Sequence, residues 1–284
     1  MFRIRSKQFL APTIAKFVIE APYIAPKRKP GNFVIVRVVE TGERIPLTIV
    51  DSNPAEGTIT LIVQAIGKTT KLLCTKEVGD SLVDIVGPLG HPTPIVSHSS
   101  VVCVGGGVGT AELLPIARAL KERGNRVFSV IGARSKDLLI LREEMNECSE
   151  EVFITTDDGS CGHKGLVTDM VKQLLTKSVY GIQTVYAIGP LPMMKAVSNL
   201  TKEHGVRTYV SLNTIMVDGT GMCGGCRVTI DGTIKFACVD GPEFDAHSVD
   251  FDELIMRNRT YVELERIADR RFQEHCAARQ EVMT

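Results

Sequence analysis

The 284-residue chain has no tryptophan, and only 5% of its residues are aromatic. It also lacks a net charge, because 33 acidic and 33 basic side chains cancel. That balance removes the electrostatic basis for binding nucleic acid or an anionic membrane surface. No apolar run approaches the roughly 20 residues that a membrane-spanning helix needs. The first residues, "MFRIRSKQFLAP", lack the long apolar core and small-residue cleavage site of a secretory signal. A cytoplasmic location is the expectation. Eight cysteines in so long a chain do not make the dense pattern of a disulfide scaffold. Cys74, Cys103, Cys148, Cys161 and Cys276 are scattered and read as small inert thiols. The other three stand together in a glycine-rich stretch.

The residues that are present change texture twice along the chain. The first ~95 residues hold short β-branched segments such as "AKFVIEAP", "GNFVIVRVVE", "RIPLTIVD", "GTITLIVQAI" and "DSLVDIVGPLG". Gly, Pro, Asn and Asp punctuate them at roughly ten-residue intervals, the pattern of a small antiparallel barrel. From about Val101 strands alternate with helices. "VVCVGGGVGTAELLPIARALKERG" opens the series, and "RVFSVIGARS", "EVFITTDDGS" and "TVYAIGP" continue it. Such alternation predicts a parallel sheet with helical crossovers. A third region begins near Ser211 with the cysteine loop. A hairpin turning at Asp231-Gly232 follows, then one long charged helix over "DFDELIMRNRTYVELERIADRRFQEHC". That helix is expected to pack on its own module, although its charge suits a partner surface equally. The fold class is therefore multidomain β plus α/β, with boundaries at residues 1–97, 98–209 and 210–284.

Three loops mark the C-terminal ends of the predicted parallel strands, where open α/β sheets bind ligands. The first carries Gly105, Gly106, Gly107, Gly109 and Thr110 between a buried strand and a helix. Such a turn lets backbone N–H groups approach a pyrophosphate at the helix N-terminus. The others are Thr156–Ser160, with Asp157 and Asp158, and Ala187–Pro190, with Gly189 and Pro190. The strand that follows the first of these loops and its helix runs into Arg134, with no acidic residue at its end. The usual rule for choosing NAD over NADP therefore has no residue to act on. In the β region, Thr48 ends an apolar strand, and Thr69 and Thr70 stand where a short helix begins.

The cysteine stretch reads "VDGTGMCGGCRVTIDGTIKFACVDG". A plant-type [2Fe–2S] loop has the spacing C-x4-C-x2-C, then a distant cysteine. Here Asp218 takes the first position, Cys223 and Cys226 the next two, and Cys238 the last. The Asp231-Gly232 turn pairs Ala237 roughly with Cys226, which returns Cys238 to the loop; the face it points to is not set by that register. A Cys3Asp zinc site is the competing reading of the same residues.

A barrel with Arg-x-x-Thr-like strand residues, a GGGxG nucleotide domain and an appended cysteine loop resembles the ferredoxin–NADP reductase superfamily. "IMVDGTGMCGGCRV" and "KFACVDGPEFDAH" narrow the resemblance to the branch of dihydroorotate dehydrogenase electron-transfer subunits. Within it they are similar to the small subunits of NADH-dependent reduced ferredoxin:NADP oxidoreductases. The resemblance covers essentially the whole chain. It implies that the barrel binds FAD through Pro46, Leu47 and Thr48, through Val63, Gln64 and Ala65, and through Thr69 and Thr70. The family arginine directly precedes the proline, where this chain has Ile45. Arg44 is one residue away, and such an offset turns a strand side chain to the other face. Gly105, Gly106, Gly107, Gly109, Thr110, Arg134, Asp157, Asp158, Gly189 and Pro190 match the NAD(H) crevice. Asp218, Cys223, Cys226 and Cys238 match the [2Fe–2S] ligands.

The implied chemistry is hydride exchange between NAD(H) and flavin, then one-electron exchange between flavin and cluster. The implied partner is a larger flavin and iron–sulfur subunit through which ferredoxin and NADP(H) react, the pair performing electron bifurcation. The alternatives are a dihydroorotate dehydrogenase relay subunit, with cysteine in the place of Asp218, a hydrogenase or sulfur-reductase relay, and a redox-silent nucleotide-binding module stapled by zinc.

Overall fold

Alternating apolar residues pair the first strands into one antiparallel sheet in the computed structural model, which describes residues 2–283. Residues 1 and 284, the outer ends of the first and third expected modules, lie outside it. The strands are β1 (Phe2–Ala11), β2 (Ile14–Glu20), β3 (Phe33–Arg37), β4 (Arg44–Asn53) and β5 (Thr58–Gln64). Helix α1 (Lys68–Cys74) follows, then β6 (Ser81–Leu82) and β7 (Asp84–Leu89). Their order, β6-β1-β2-β5-β4-β3-β7, makes a nearly closed barrel. Its inward residues, among them Ile4, Phe17, Ile19, Val34, Val36, Ile59 and Leu61, form one buried core.

Two features of this module differ from the sequence expectation. The opening "FRIRSKQFLA" is a full strand, because β1 pairs along β2 and also touches β6. "DSLVDIVGPL" is two strands rather than one. Ser81 and Leu82 pair with β1, whereas Asp84–Leu89 pair with β3 on the opposite edge, so the segment bends between them.

The next strands form a mostly parallel sheet. They are β8 (Ser100–Gly106), β9 (Arg126–Ala133), β10 (Glu151–Thr156), β11 (His163–Lys164), β12 (Thr184–Ile188) and β13 (Arg207–Ser211). The crossovers carry α2 (Gly109–Glu122), α3 (Arg142–Glu147), α4 (Val167–Thr176) and α5 (Leu191–Glu203). The long helix suggested by "KDLLILREEMNEC" is only the six residues of α3, preceded by a single 3-10 turn. The strand order is β11-β10-β9-β8-β12-β13, so the winding reverses between β8 and β12. A ligand crevice opens at such a reversal.

The last segment leaves that sheet, forms a small hairpin and returns. The hairpin is β14 (Arg227–Ile230) and β15 (Thr233–Phe236), leading into α6 (Ala237–Asp240). Strand β16 (Glu243–Asp245) then adds antiparallel to β13, the edge of the parallel sheet. The expected single helix is two, α7 (Phe251–Asn258) and α8 (Val262–Met283). A turn at Arg259–Tyr261 separates them, with the Thr260 hydroxyl donating back to the Arg257 carbonyl at 2.7 Å. Only α7 buries an apolar face on its own module, through Phe251 and Leu254. Helix α8 instead reaches the barrel, where Asp269 pairs with Lys71 of α1 at 2.7 Å. Among the described residues no helix is long and apolar enough to cross a membrane.

Candidate cofactor sites

The glycine turn after β8 and the Ile188–Pro190 turn after β12 lie against one another at the reversal of the sheet. A Cβ on Gly109 would sit 2.4 Å from the Ile188 carbonyl oxygen, so no larger residue lets α2 start so close to β12. Gly106 and Gly189 also meet here, and Met193 of α5 closes on both. Gly107, by contrast, faces open space. Thr110 is fully buried, and its hydroxyl has no hydrogen-bond partner. The structure thus brings together Gly105, Gly106, Gly107, Gly109, Thr110, Gly189 and Pro190. Arg134, after β9, and Asp157 and Asp158, after β10, lie at the same edge of the sheet but exposed, one and two strands from β8. Asp158 turns its carboxylate back onto Ser160, accepting from the backbone N–H at 2.9 Å and the hydroxyl at 2.6 Å. Those two bonds hold its carboxyl below the usual carboxylate range.

On the barrel, strand alternation divides the candidate flavin residues. Ile45 and Leu47 pack on the barrel core, so Arg44, Pro46 and Thr48 share the other face of β4. Arg44 lies 3.6 Å from Asp84 of β7, which Arg37 also holds at 3.1 Å. Val63 is buried in the barrel core, leaving Gln64 at the end of β5 and Ala65 just beyond it part-exposed. The Thr69 hydroxyl donates to the Glu43 carboxylate. Glu43 also pairs with Lys68 at 3.2 Å, and the Thr69 bond leads in holding its carboxyl below the usual range. Thr70 caps α1, its hydroxyl accepting from the N–H groups of Ile66 at 3.0 Å and Gly67 at 3.1 Å.

The cysteine loop rests on the barrel. A Cβ on Gly219, whose φ is +82°, would lie 2.7 Å from Leu89 and 2.8 Å from Ile35, so the loop approaches β3 and β7 through bare backbone. The hairpin register is the expected one: the Ala237 N–H donates to the Cys226 carbonyl at 3.1 Å. It brings the Cys226 and Cys238 sulfurs to 3.2 Å, both buried. Burial pushes the Cys238 thiol up to about 12, and the Cys226 sulfur adds to the rise. Cys223 is exposed on the same loop. A backbone N–H from Gly225 draws its thiol below the usual value, favouring the thiolate that binds metal.

Asp218 faces its own loop. Its Oδ2 accepts from the Thr220 N–H at 2.8 Å, the Thr220 hydroxyl at 2.6 Å and the Met222 N–H at 3.2 Å. These bonds, the Thr220 hydroxyl first, hold its carboxyl below the usual range, and Arg44 contributes. Among the described residues no three His, Cys, Asp or Glu side chains are gathered in metal-binding geometry. The chemistry of the donor set nevertheless fits an iron–sulfur cluster: two thiols on the loop and a third returned by the hairpin in α6, Cys226 and Cys238 in contact, with backbone N–H groups aimed at Cys223.

Two carboxylates escaped the sequence reading. Glu112, in the first turn of α2, stands beside Thr48, and Glu243 of β16 lies beside Thr93 and Ser211. Burial raises Glu112 to about 7 and Glu243 to about 8. Each still shows some surface, as groups lining a cleft do. The signal for Glu112 was available, since it is the one charge in "GGGVGTAELLP". Glu243 gave none, because its burial comes from the strand that returns to the sheet edge.

Comparison with known proteins agrees with this geometry. Residues 213–250 match the iron–sulfur cluster binding domain of dihydroorotate dehydrogenase B, and residues 103–199 match the oxidoreductase NAD-binding domain. The chain is 50% identical, over 95% of its length and 94% of the relative's, to a Thermotoga maritima protein described as a homolog of the dihydroorotate dehydrogenase B (NAD(+)) electron transfer subunit. An uncharacterized Clostridium beijerinckii protein is 46% identical over 92% of this chain and 90% of its own. A chain from the structure of an NADH-dependent reduced ferredoxin-NADP oxidoreductase, studied for flavin-based electron bifurcation, superposes with a TM-score of 0.90. It is 48% identical, covering 96% of this chain and 98% of that one. The fold is that of the ferredoxin reductases, the cofactors are flavin, NAD(H) and an iron–sulfur cluster, and the chain belongs to the family of dihydroorotate dehydrogenase B electron-transfer subunits and their homologues.

Proposed function

We propose that this chain is the NAD-side relay of an electron-bifurcating NADH-dependent ferredoxin:NADP oxidoreductase. The observation that carries the reading is the whole-chain match, at 48% identity, to a chain of such an enzyme. A bound flavin would supply the conversion between hydride transfer with NADH and single-electron transfer with the cluster. The residues divide that work. Gly105–Thr110, Gly189 and Pro190 seat the NAD(H) pyrophosphate, with Arg134, Asp157 and Asp158 toward its far end. Pro46, Leu47 and Thr48, Val63–Ala65 and Thr69-Thr70 hold FAD. Asp218, Cys223, Cys226 and Cys238 hold the cluster against the barrel. Arg44, tied to Asp84, balances the charge of Asp218 rather than binding phosphate.

The partner in this reading is a larger flavin and iron–sulfur subunit that reacts with ferredoxin and NADP(H). The complex belongs in the cytoplasm, where its thiols stay reduced. Purifying the native complex tests the assignment. A larger subunit with further flavin and clusters, and NADPH oxidation coupled to reduction of both ferredoxin and NAD, is the expected result. A partner that oxidises dihydroorotate instead would make the chain a dihydroorotate dehydrogenase relay.

A further inference from the structure

Helices α7 and α8 lie outside both matched domains, yet between them they touch both candidate cofactor regions. Helix α7 buries Phe251 and Leu254 in the core that also holds Cys226 and Cys238. At its end the Asn258 side chain donates to the Asn213 carbonyl at 2.9 Å, where the matched cysteine module begins. Arg257 reaches the loop between the cysteines, its Nη2 donating to the Gly225 carbonyl at 3.4 Å. Gly225 abuts one of the thiols: a Cβ there would lie 3.6 Å from Cys223 Sγ. Helix α8 then leads away to the barrel, and Asp269 stands about 10 Å along its axis from Val262. There Asp269 Oδ2 accepts from Lys71 at 2.7 Å and from Gln273 of α8 itself at 3.0 Å. Its Oδ1 is buried with no hydrogen-bond partner, so the carboxylate is pressed between the two helices rather than turned to water.

Lys71 directly follows Thr69 and Thr70. Helix α1 has seven residues, too few to hold its place by its own hydrogen bonds. Side-chain anchors therefore decide where its first turn stands. Leu73 sits in the barrel core, the Thr69 hydroxyl donates to Glu43, and Lys71 is held by α8. We propose that α7 and α8 form a brace between the flavin helix and the cluster loop, with Asp269 and Asn258 as positioning residues, so that FAD binding at α1 and the seating of α8 strengthen each other. This rests on the flavin reading of Thr69 and Thr70 above. Only the turn at Arg259–Tyr261 separates the two anchored helices, so loosening either end frees the other. Coupling of this kind is reciprocal: whatever α8 adds to FAD affinity, bound FAD returns as protection of α8. The Lys71–Asp269 pair is part-buried, which sets the effect at a few-fold rather than an all-or-none loss.

The test uses the full chain with its cluster in place and its FAD removed, titrated with FAD and followed by quenching of flavin fluorescence. Asp269→Asn is expected to raise the FAD Kd about 2- to 5-fold with iron and sulfide content unchanged. Asn258→Ala should raise it as well, although its bond is to the cysteine module and not to the barrel. The same proteins are then digested with trypsin, with and without FAD. In wild type FAD should slow cleavage after Arg270 and Arg271 several-fold, and in Asp269→Asn it should slow it much less. An unmoved Kd in either variant, or wild-type cleavage at one rate with and without FAD, overturns the proposal. Should Asp269→Asn fail to fold, Asn258→Ala, which alters a part-exposed side chain, decides by the same two readings. A wild-type chain that takes up no FAD refutes the flavin reading itself, and this inference with it.

Discussion

Asp218 is the residue on which the cluster reading turns. It stands five positions before Cys223, where an all-cysteine loop has its first thiolate. In the structure its Oδ2 is the acceptor for three donors of the loop. A carboxylate is a harder ligand than a thiolate and is displaced more readily. Asp218→Cys is therefore expected to keep a [2Fe–2S] spectrum and shift the cluster potential, as read by a redox titration. An unchanged potential would mean that Asp218 serves only as the loop cap. Glu243 carries a second expectation at this scale. Its value rises from 4.5 to about 8 on folding, so between those limits the folded state binds more proton than the unfolded chain. The stability it allows is full below about pH 4.5 and is lost as pH rises toward 8. Urea midpoints should fall with pH in wild type more steeply than in Glu243→Gln. The difference is at most about 1.4 kcal/mol per pH unit, and less for a part-exposed group. Parallel curves would show that Glu243 is ionised throughout. Single residues were unevenly legible. Ala237 could be paired with Cys226 from a two-residue turn because hairpin register is local, whereas the inward turn of Cys238 comes from α6, which that register does not encode. Glu243 owes its state to a strand 150 residues beyond the barrel loop it touches, which no local pattern encodes.

Elements were read best where an apolar or alternating run is bounded by turn residues. The barrel strands β2 to β5 and the sheet strands β8, β9, β10 and β12 all follow their apolar patterns. The misses have physical causes. The charged positions of "RIRSK" hid β1, whose outward residues face solvent while Ile4 is fully buried. The last helix was drawn as one because its apolar spacing runs on through Arg259–Tyr261, but Tyr261 and Leu264 prove exposed. Helix α8 is anchored through Lys71–Asp269, both part-buried. Asp269→Ala is expected to cost up to about 1 kcal/mol in a denaturant midpoint. It should also speed tryptic cleavage after Arg270 and Arg271 several-fold. Cleavage at the wild-type rate would show that other contacts hold the helix.

At the scale of the molecule, the three candidate cofactor regions form one path. The reversal of the parallel sheet between β8 and β12 places the glycine loops and α2 beside β4 of the barrel. The cysteine loop lies on β3 and β7 through Gly219, so the barrel stands between nucleotide crevice and cluster loop. Buried Cys226 and Cys238 share a core with Phe33 and Ile35 of β3. The order of modules was legible in the changes of texture along the chain. Their mutual packing was not, because strand β16 and helix α8 each leave the cysteine module to join another. If the three regions work in series, NADH sends electrons through flavin to a cluster within this one chain. Anaerobic addition of NADH to the purified chain, read by visible absorbance and electron paramagnetic resonance, tests it most directly. The flavin bands are expected to bleach and a reduced [2Fe–2S] signal to appear. A chain holding only zinc, with neither flavin bands nor that signal, would contradict it.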